Sequence, residues 1–454
     1  MSRVDELKSL ASSVVDRALA KGATAAEVYV RHGLETDIEV RNGEIDKLVE
    51  GGPKSIGIRV WRDDRNASTY GTDFSDKVVD RLINDAISLA DLMDPVPEAA
   101  LADKSRMAIG VEFPDLDLFD PTVATVPASE KLAIAQKVEA AALAYDERIT
   151  TSGGAGYGDL VMATGLANSN GFCAGYENSF VSFHVEVIAD DEGGKKRNGS
   201  WYSFSRHRED LGDPVEIGEI AAQRALRQLG AGPIPTGKLT VVFDPRMAAA
   251  LIGTLFGVLR GGAIERRSSY LVDKLGERIG SDLLTLIDDP TIVRGPGSKP
   301  YDGEGLAASK TVFIENGILK SYALNSYSAR KLGLEPTGHA SRPTTGSTGE
   351  TTSNLYLAAG DRTPESIIED VEYGFYCESM MGFGFNGATG DFSRGASGRL
   401  IENGKLTRAV SEITVSGNFN DIFANLDAVG NDLIFDSSTT SPTIRIKEMT
   451  VAGS

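Results

Sequence analysis

Hydrophobic positions near the start of the chain recur every three or four residues, and the spacing then changes to two. The first spacing runs from Val4 to Ala20 and predicts an amphipathic helix that Gly22 ends. Asn42-Gly43 lies between apolar stretches and favours a tight hairpin turn. The alternating spacing predicts half-buried strands over residues 27–31, 36–41 and 55–61.

Helical and strand spacing continue to alternate through the rest of the first half. Two prolines, Pro95 and Pro97, end the second predicted helix, and a loosely patterned stretch follows to about residue 114. Ser129 is the predicted N-cap of the third helix. The predicted elements are helices over residues 76–92, 129–145 and 215–229 and a strand over residues 180–188. The first half is therefore α+β, and a break near 94–114 would divide it into two subdomains.

The stretch from Gly230 to Gly237 is rich in Gly and Pro and is the predicted linker between two domains, residues 1–232 and 233–454. The second domain is turn-rich. Asn316-Gly317 and Asn403-Gly404 each lie between apolar stretches and predict two β-hairpins with type I′ turns. The overall prediction is an α+β fold with an N-terminal mixed domain of hairpins and flanking helices and a sheet-rich C-terminal domain.

Charge and composition narrow the class of protein. The net charge of −19 opposes binding to the phosphate backbone of nucleic acids. The cysteines, Cys173 and Cys377, are too far apart to suggest a disulfide framework or a metal motif, and free thiols are expected. The N-terminus resembles no signal peptide, and no apolar run has the ~18 residues that a membrane span needs. A cytoplasmic protein that binds neither membrane nor nucleic acid is expected.

No short motif identifies a catalytic centre. None of the four histidines is followed by Glu-x-x-His, and His184-Val185-Glu186 matches half of a zinc deaminase signature within a predicted strand. His339 is expected to be an exposed loop histidine. Gly382 to Gly387 fits G-x-G-x-x-G, but no helix follows it, so a dinucleotide site is not predicted. Residues alone therefore name no nucleophile, base or metal set.

Four stretches of the second half resemble the TldD/PmbA metalloprotease family, in particular its PmbA (TldE) branch. They are Ile287 to Pro290, Phe313 to Leu334, Gly387 to Ala396 and Ala428 to Leu433. The resemblance implies a barrel-like C-terminal domain and a role in peptide hydrolysis. It also implies a heterodimer, in which a zinc-bearing, TldD-like subunit pairs with a zinc-free subunit and the two share a cavity for unfolded or leader-type peptides.

The zinc-bearing branch of that family carries His-Glu-x-x-x-His on a helix and a cysteine near the C-terminus. The corresponding helix here is predicted to start with Asp244 as N-cap and to end at Gly261-Gly262. The resemblance places the motif on Gly253, Thr254 and Val258, which supply neither zinc ligands nor a general base. We therefore expect no metal or other cofactor in this chain, and zinc in its partner.

Two functions from different classes follow from the resemblance. In the first, the chain is a non-catalytic peptidase subunit that encloses the shared peptide cavity. In the alternative, it is a homodimeric peptide- or protein-binding module of the gyrase-modulator type and hydrolyses nothing. A complete hydrolase with unrecognised residues ranks last, and whether the chain itself is an enzyme stays open. The candidate cavity residues are Gly384, Asn386, Asp391, Ser393 and Arg394.

Overall fold

The computed structural model describes residues 2–345 and 348–453 and confirms the α+β class. Helices and strands are interspersed along both described ranges, and each long helix has an apolar face that packs on a sheet. The helices of the described ranges are α1 (Arg3–Ala20), α2 (Asp76–Leu92), α3 (Ala128–Ala144), α4 (Pro214–Leu226), α5 (Pro245–Leu259), α6 (Gly261–Glu265), α7 (Ser326–Leu332), α8 (Pro364–Glu369) and α9 (Phe419–Ala424).

The N-terminal half forms one antiparallel sheet. Its strands are β1 (Ala25–Arg41), β2 (Glu44–Gly51), β3 (Lys54–Arg62), β4 (Arg65–Gly71), β5 (Ile149–Asn168), β6 (Cys173–Asp190) and β7 (Lys196–Ser205). Their order is β4-β3-β1-β5-β6-β7, and β2 pairs with the C-terminal part of β1. The predicted turn between β1 and β2 is confirmed, because Asn42 and Gly43 both have positive φ. The two strands predicted within residues 27–41 are one continuous strand.

The two faces of this sheet differ. Val28, Val30, Ile38 and Val40 alternate along β1 and are buried beneath α1 to α4. The opposite face packs on the C-terminal half around Tyr301 through an apolar cluster. Farther along β1, β5, β6 and β7 the same face is polar and open. Alternation therefore gives the sheet one helix-covered face and one face that is only partly covered.

The C-terminal half contains a closed barrel of five strands, in agreement with the predicted barrel-like domain. Its strands follow the order β17-β16-β15-β8-β20, and β17 pairs with β20 to close it. The strands of this half are β8 (Gly237–Phe243), β9 (Leu286–Asp288), β10 (Thr311–Glu315), β11 (Ile318–Leu319), β12 (Ala340–Ser341), β13 (Gly349–Glu350), β14 (Leu355–Leu357), β15 (Tyr373–Met381), β16 (Asp391–Glu402), β17 (Lys405–Asn418), β18 (Leu426–Val429), β19 (Thr439–Thr440) and β20 (Ile444–Ala452).

A second, smaller sheet of order β11-β10-β9-β14-β19 lies beside the barrel, and α5 packs against strands of both. The two predicted Asn-Gly hairpins are confirmed: Asn316 and Asn403 have positive φ and connect β10 to β11 and β16 to β17. The largest core cluster of the described residues surrounds α5. This helix therefore holds the two sheets of the C-terminal half together.

Two predicted helix boundaries were wrong. Helix α3 begins one residue before Ser129. Its N-cap is Pro127, whose side chain forms no capping hydrogen bond. Helix α5 ends at Leu259 because Arg260 takes an extended conformation with ψ 134°. Gly261 and Gly262 then start α6 instead of ending α5. The break therefore comes one residue earlier than the glycine pair and redirects the chain between two helices.

Candidate functional site

Helix α5 is fixed at its start and along one side. The Asp244 Oδ1 atom accepts a hydrogen bond from Met247 N at 2.8 Å, which confirms the predicted N-cap. Burial raises the pKa of the Asp244 carboxyl to about 6. Seven apolar residues of the helix are buried: Ala248, Leu251, Ile252, Leu255, Phe256, Val258 and Leu259. Gly253, Thr254 and Gly257 lie on the remaining, partly exposed side of the helix.

The three positions predicted to carry the degenerate motif have different surroundings. Val258 belongs to the core. A Cβ atom on Gly253 would make only an ordinary contact, 3.8 Å from Thr439 Cγ2. The Thr254 hydroxyl donates a hydrogen bond to the Ala250 carbonyl at 2.8 Å. One hydroxyl, a glycine and a buried hydrocarbon side chain do not fit a zinc ion, which needs three or four N, S or carboxylate ligands.

The candidate cavity residues lie in and beside the loop of residues 382–390, which connects β15 to β16. Backbone hydrogen bonds close this loop: Asn386 N donates to Asp391 O, and Ser393 N donates to Gly384 O, both at 2.8 Å. The Asp391 carboxylate accepts from Thr389 Oγ1 at 2.7 Å and from Asn418 Nδ2 at 3.0 Å. These hydrogen bonds lower the Asp391 pKa. Asp391 is therefore an exposed, ionised group that also orders the loop.

The structure brings the loop of residues 382–390 and α5 together. Arg394 Nη2 donates to Thr254 Oγ1 at 3.4 Å. A Cβ atom on Gly387 would lie 3.2 Å from Val258 Cγ1, so the loop backbone touches the helix. Asp391 and Ser393 alternate with Arg394 along β16 and are exposed on the other face of that strand. Of the five candidate residues, Arg394 is the one whose side chain reaches the helix.

The open face of the N-terminal sheet adds residues that were not among the candidate cavity residues. A cavity of about 400 Å³ there is lined by Glu39, Gly153, Gly154, His184, Val185, Glu186, Ser200, Trp201 and Tyr202. His184 Nε2 lies 3.6 Å from Glu39 Oε2, above Gly156, where a Cβ atom would clash with the imidazole. The side-chain alternation in β6 and β7 puts His184 and Tyr202 on one face but does not reveal the cavity.

Arg246 connects this open face to α5. It belongs to the first turn of the helix, and its guanidinium lies 3.9 Å from the Trp201 ring centroid and 4.2 Å from that of Tyr202. Burial lowers the pKa of Arg246. The same helix therefore borders the sheet cavity at its start and the loop of residues 382–390 at its end.

His339 contradicts the prediction of an exposed loop histidine. The residue is 1% exposed, and Nε2 lies 3.3 Å from Asp288 Oδ2. Its ring packs against Phe313 at a centroid distance of 5.0 Å. The Gly- and Thr-rich sequence around His339 suggested an exposed loop, but the segment lies against the small sheet of the C-terminal half. His339 has a structural role there.

Comparisons with known proteins place the chain in a family. Models of domain 1, the central domain and the C-terminal domain of the PmbA/TldA metallopeptidases match residues 26–90, 121–229 and 236–453. The Escherichia coli O157:H7 metalloprotease PmbA is 34% identical over 456 residues, covering 100% of this chain and 98% of that protein. A Haemophilus influenzae PmbA homologue is 31% identical, covering 99% and 96%. The chain therefore belongs to the PmbA/TldD metallopeptidase family.

Solved structures agree with this fold. A Bacteroides thetaiotaomicron protein described as a candidate modulator of DNA gyrase has a TM-score of 0.92 and 32% identity, covering 99% of both chains. TldE from Thermococcus kodakarensis has a TM-score of 0.86 at 21% identity, covering 98% of this chain and 100% of that one. Among the helices of the described ranges, none combines the length and apolar character that a bilayer crossing requires.

Proposed function

We propose that this chain is the non-catalytic subunit of a cytoplasmic metallopeptidase complex that hydrolyses unfolded or leader-type peptides. In this proposal a zinc-bearing, TldD-like partner supplies the metal and the general base. The observation that carries it is α5, where Gly253, Thr254 and Val258 supply one hydroxyl and no metal ligand set. A guanidinium, that of Arg394, lies beside Thr254 and would repel a metal cation.

Two surfaces support the binding of an extended peptide. The polar face of the N-terminal sheet is open along β5 and β6 and borders α5 through Arg246. Strand β2 has eight exposed residues and, among the strands of the described ranges, pairs with β1 alone, so its other edge can pair with an added strand. Pairing through backbone hydrogen bonds tolerates many sequences, which suits a peptidase for unfolded substrates.

The test uses the purified chain alone and mixed with a zinc-bearing TldD-like subunit. We expect a zinc-to-protein ratio near zero for the chain alone, and hydrolysis of an unstructured peptide only in the mixture. Zinc that stays on the isolated chain through dialysis would overturn the proposal. A chain that dimerises with itself, binds peptide and adds nothing to the partner's hydrolysis would instead support the homodimeric binding module. Asp391→Ala and Arg394→Ala test the cavity: unchanged hydrolysis by the complex would contradict this assignment.

A further inference from the structure

Arg394 is a partly buried arginine with one hydrogen-bond partner among the described residues. Its side chain extends from β16 of the barrel towards α5 and lies over the Phe392 ring at 5.5 Å. Its hydrogen bond to Thr254 Oγ1 is long, at 3.4 Å. The Nε atom is buried and has no acceptor among residues 2–345 and 348–453. The guanidinium therefore keeps donors that the described part of the chain does not satisfy.

The charge of Arg394 also lacks an ion-pair partner among the described residues. Within the described ranges it forms no salt bridge, although the chain has 65 acidic and 46 basic residues. Other buried arginines here have partners: Arg342 pairs with Glu27 at 2.8 Å, and Arg206 donates to three carbonyls. Removing a cation from water without a counter-charge is costly. A cation held in this way at a family's degenerate active-site helix points to an anionic ligand.

The surroundings of Arg394 leave room for such a ligand. The Thr254 hydroxyl donates a hydrogen bond to the Ala250 carbonyl, so its oxygen is left to accept from the Arg394 guanidinium and orients it. Gly257 lies one turn from Thr254, and a Cβ atom there would meet nothing within 4 Å. Gly253 lies one turn before Gly257 on the same side of the helix and is also partly exposed. The helix surface beside Arg394 is therefore small and open.

We propose that Arg394, oriented by Thr254, is a carboxylate-binding subsite that holds the C-terminal carboxylate of a bound peptide. One planar guanidinium matches a carboxylate through two parallel hydrogen bonds. A phosphate would call for more positive charge, and the middle of α5 offers no free backbone N–H groups. The idea rests on the proposed peptide-binding function and names the chemical group that this chain recognises.

The experiment measures peptide binding to the isolated full chain by fluorescence anisotropy. The probes are an N-terminally labelled, unstructured peptide without acidic side chains, its C-terminal amide, and the amide with one internal Glu. We expect the free acid to bind about 10-fold more tightly than the amide. Arg394→Met should reduce the free acid to the amide's affinity, and Arg394→Lys and Thr254→Val should lose part of the difference. Arg260→Met is the matched control, because Arg260 also stacks on an aromatic ring of this region but is exposed.

Equal binding of acid and amide, an acid preference that survives Arg394→Met, or no binding of any peptide would overturn the subsite. If the amide with an internal Glu binds as tightly as the free acid, the assignment to the C-terminus is wrong. Unfolding midpoints establish whether Arg394→Met is folded, and Arg394→Lys and Thr254→Val decide if it is not. No partner or hydrolysis is involved, so the subsite and the proposed function can fail separately.

Discussion

At the scale of single residues, a buried arginine joins the two halves of the chain. The Arg206 side chain lies over Phe180 and donates to the Gly295, Pro296 and Ser298 carbonyls at 2.8, 2.9 and 3.1 Å. Burial lowers its pKa to about 10, so it stays protonated at neutral pH. We predict that Arg206→Met, which leaves these carbonyls without their donor, lowers the free energy of unfolding by about 3 kcal/mol in urea titrations.

Arg408→Met is the matched control for that prediction. Arg408 is exposed and donates a single hydrogen bond of 3.3 Å to the Pro233 carbonyl, so its loss should change stability by less than about 0.5 kcal/mol. If Arg206→Met lost no more stability than Arg408→Met, the three carbonyls would have found other donors. Arg206 would then not hold the halves together.

Local residue chemistry could be predicted from the sequence, whereas contacts between distant residues could not. The Asn-Gly turns and the Asp244 cap depend on neighbours within a few positions, and these predictions are confirmed. Arg394 and Thr254 are 140 positions apart, so their contact depends on how the barrel packs against α5. Only the family resemblance put both residues on the list of candidates, and it did not predict that they touch.

At the scale of elements, α5 carries two glycines in its interior. Glycine costs a helix about 1 kcal/mol relative to alanine. A Cβ atom on Gly257 would meet nothing within 4 Å, so no clash would offset the stability gained by replacing this glycine with alanine. We predict that Gly257→Ala raises the free energy of unfolding by about 1 kcal/mol, measured by urea titration of the isolated chain. In the complex, the same methyl group should weaken peptide binding if the open side of α5 faces the substrate.

Gly261→Ala is the matched opposite case. A Cβ atom there would overlap Ser328 Oγ and lie 2.7 Å from Leu324 Cδ2, where α6 packs against α7. We predict that this variant is destabilised by about 2 kcal/mol, because the core around Leu324 has to shift. If Gly257→Ala were destabilised as well, the side of α5 that carries Gly257 would be packed rather than open.

Element type followed from periodicity, and so did the bounds of α2, but several other boundaries did not. Strand β1 continues through His32 to Glu35, where the spacing of two fails, because β5 pairs with it from Glu27 to Val40. The break between α5 and α6 falls at Arg260, whose neighbour Gly261 donates to the Ala323 carbonyl of a distant segment. In both places tertiary hydrogen bonds override the local pattern.

At the scale of the whole molecule, the halves meet in a polar interface that contains buried acids. Glu304 is 6% exposed and lies near Asp302, which is also buried, and near Glu27 of the N-terminal half. Its carboxylate accepts a hydrogen bond from Ser326 N at 2.9 Å. Burial, and then the charge of Asp302, raise the pKa of Glu304 to about 7. This cluster could not be predicted from periodicity or short motifs, because Glu27 lies far along the chain from Asp302 and Glu304.

This raised pKa predicts how stability depends on pH. The folded state keeps the Glu304 proton above the ordinary glutamate pKa of 4.5, whereas the unfolded state loses it. The unfolded state then binds fewer protons, so stability falls as pH rises from about 4.5 to 7 and stays at the lower value above that. Over this pH window, the Glu304 carboxyl lowers the free energy of unfolding by on the order of 3 kcal/mol. Glu304→Gln is neutral and keeps an acceptor for Ser326 N, so it should remove the loss.

The measurement is the thermal unfolding midpoint of wild type and Glu304→Gln at pH 5 and pH 8. We expect similar midpoints at pH 5 and a more stable variant at pH 8. At pH 8 the folded wild type must either bury an ionised carboxylate or keep a proton that the unfolded state releases, and the variant does neither. Glu147→Gln, at an exposed position, should leave the wild-type difference between the two pH values unchanged. Parallel pH profiles for wild type and Glu304→Gln would show that this acid is already ionised in the folded interface at pH 5.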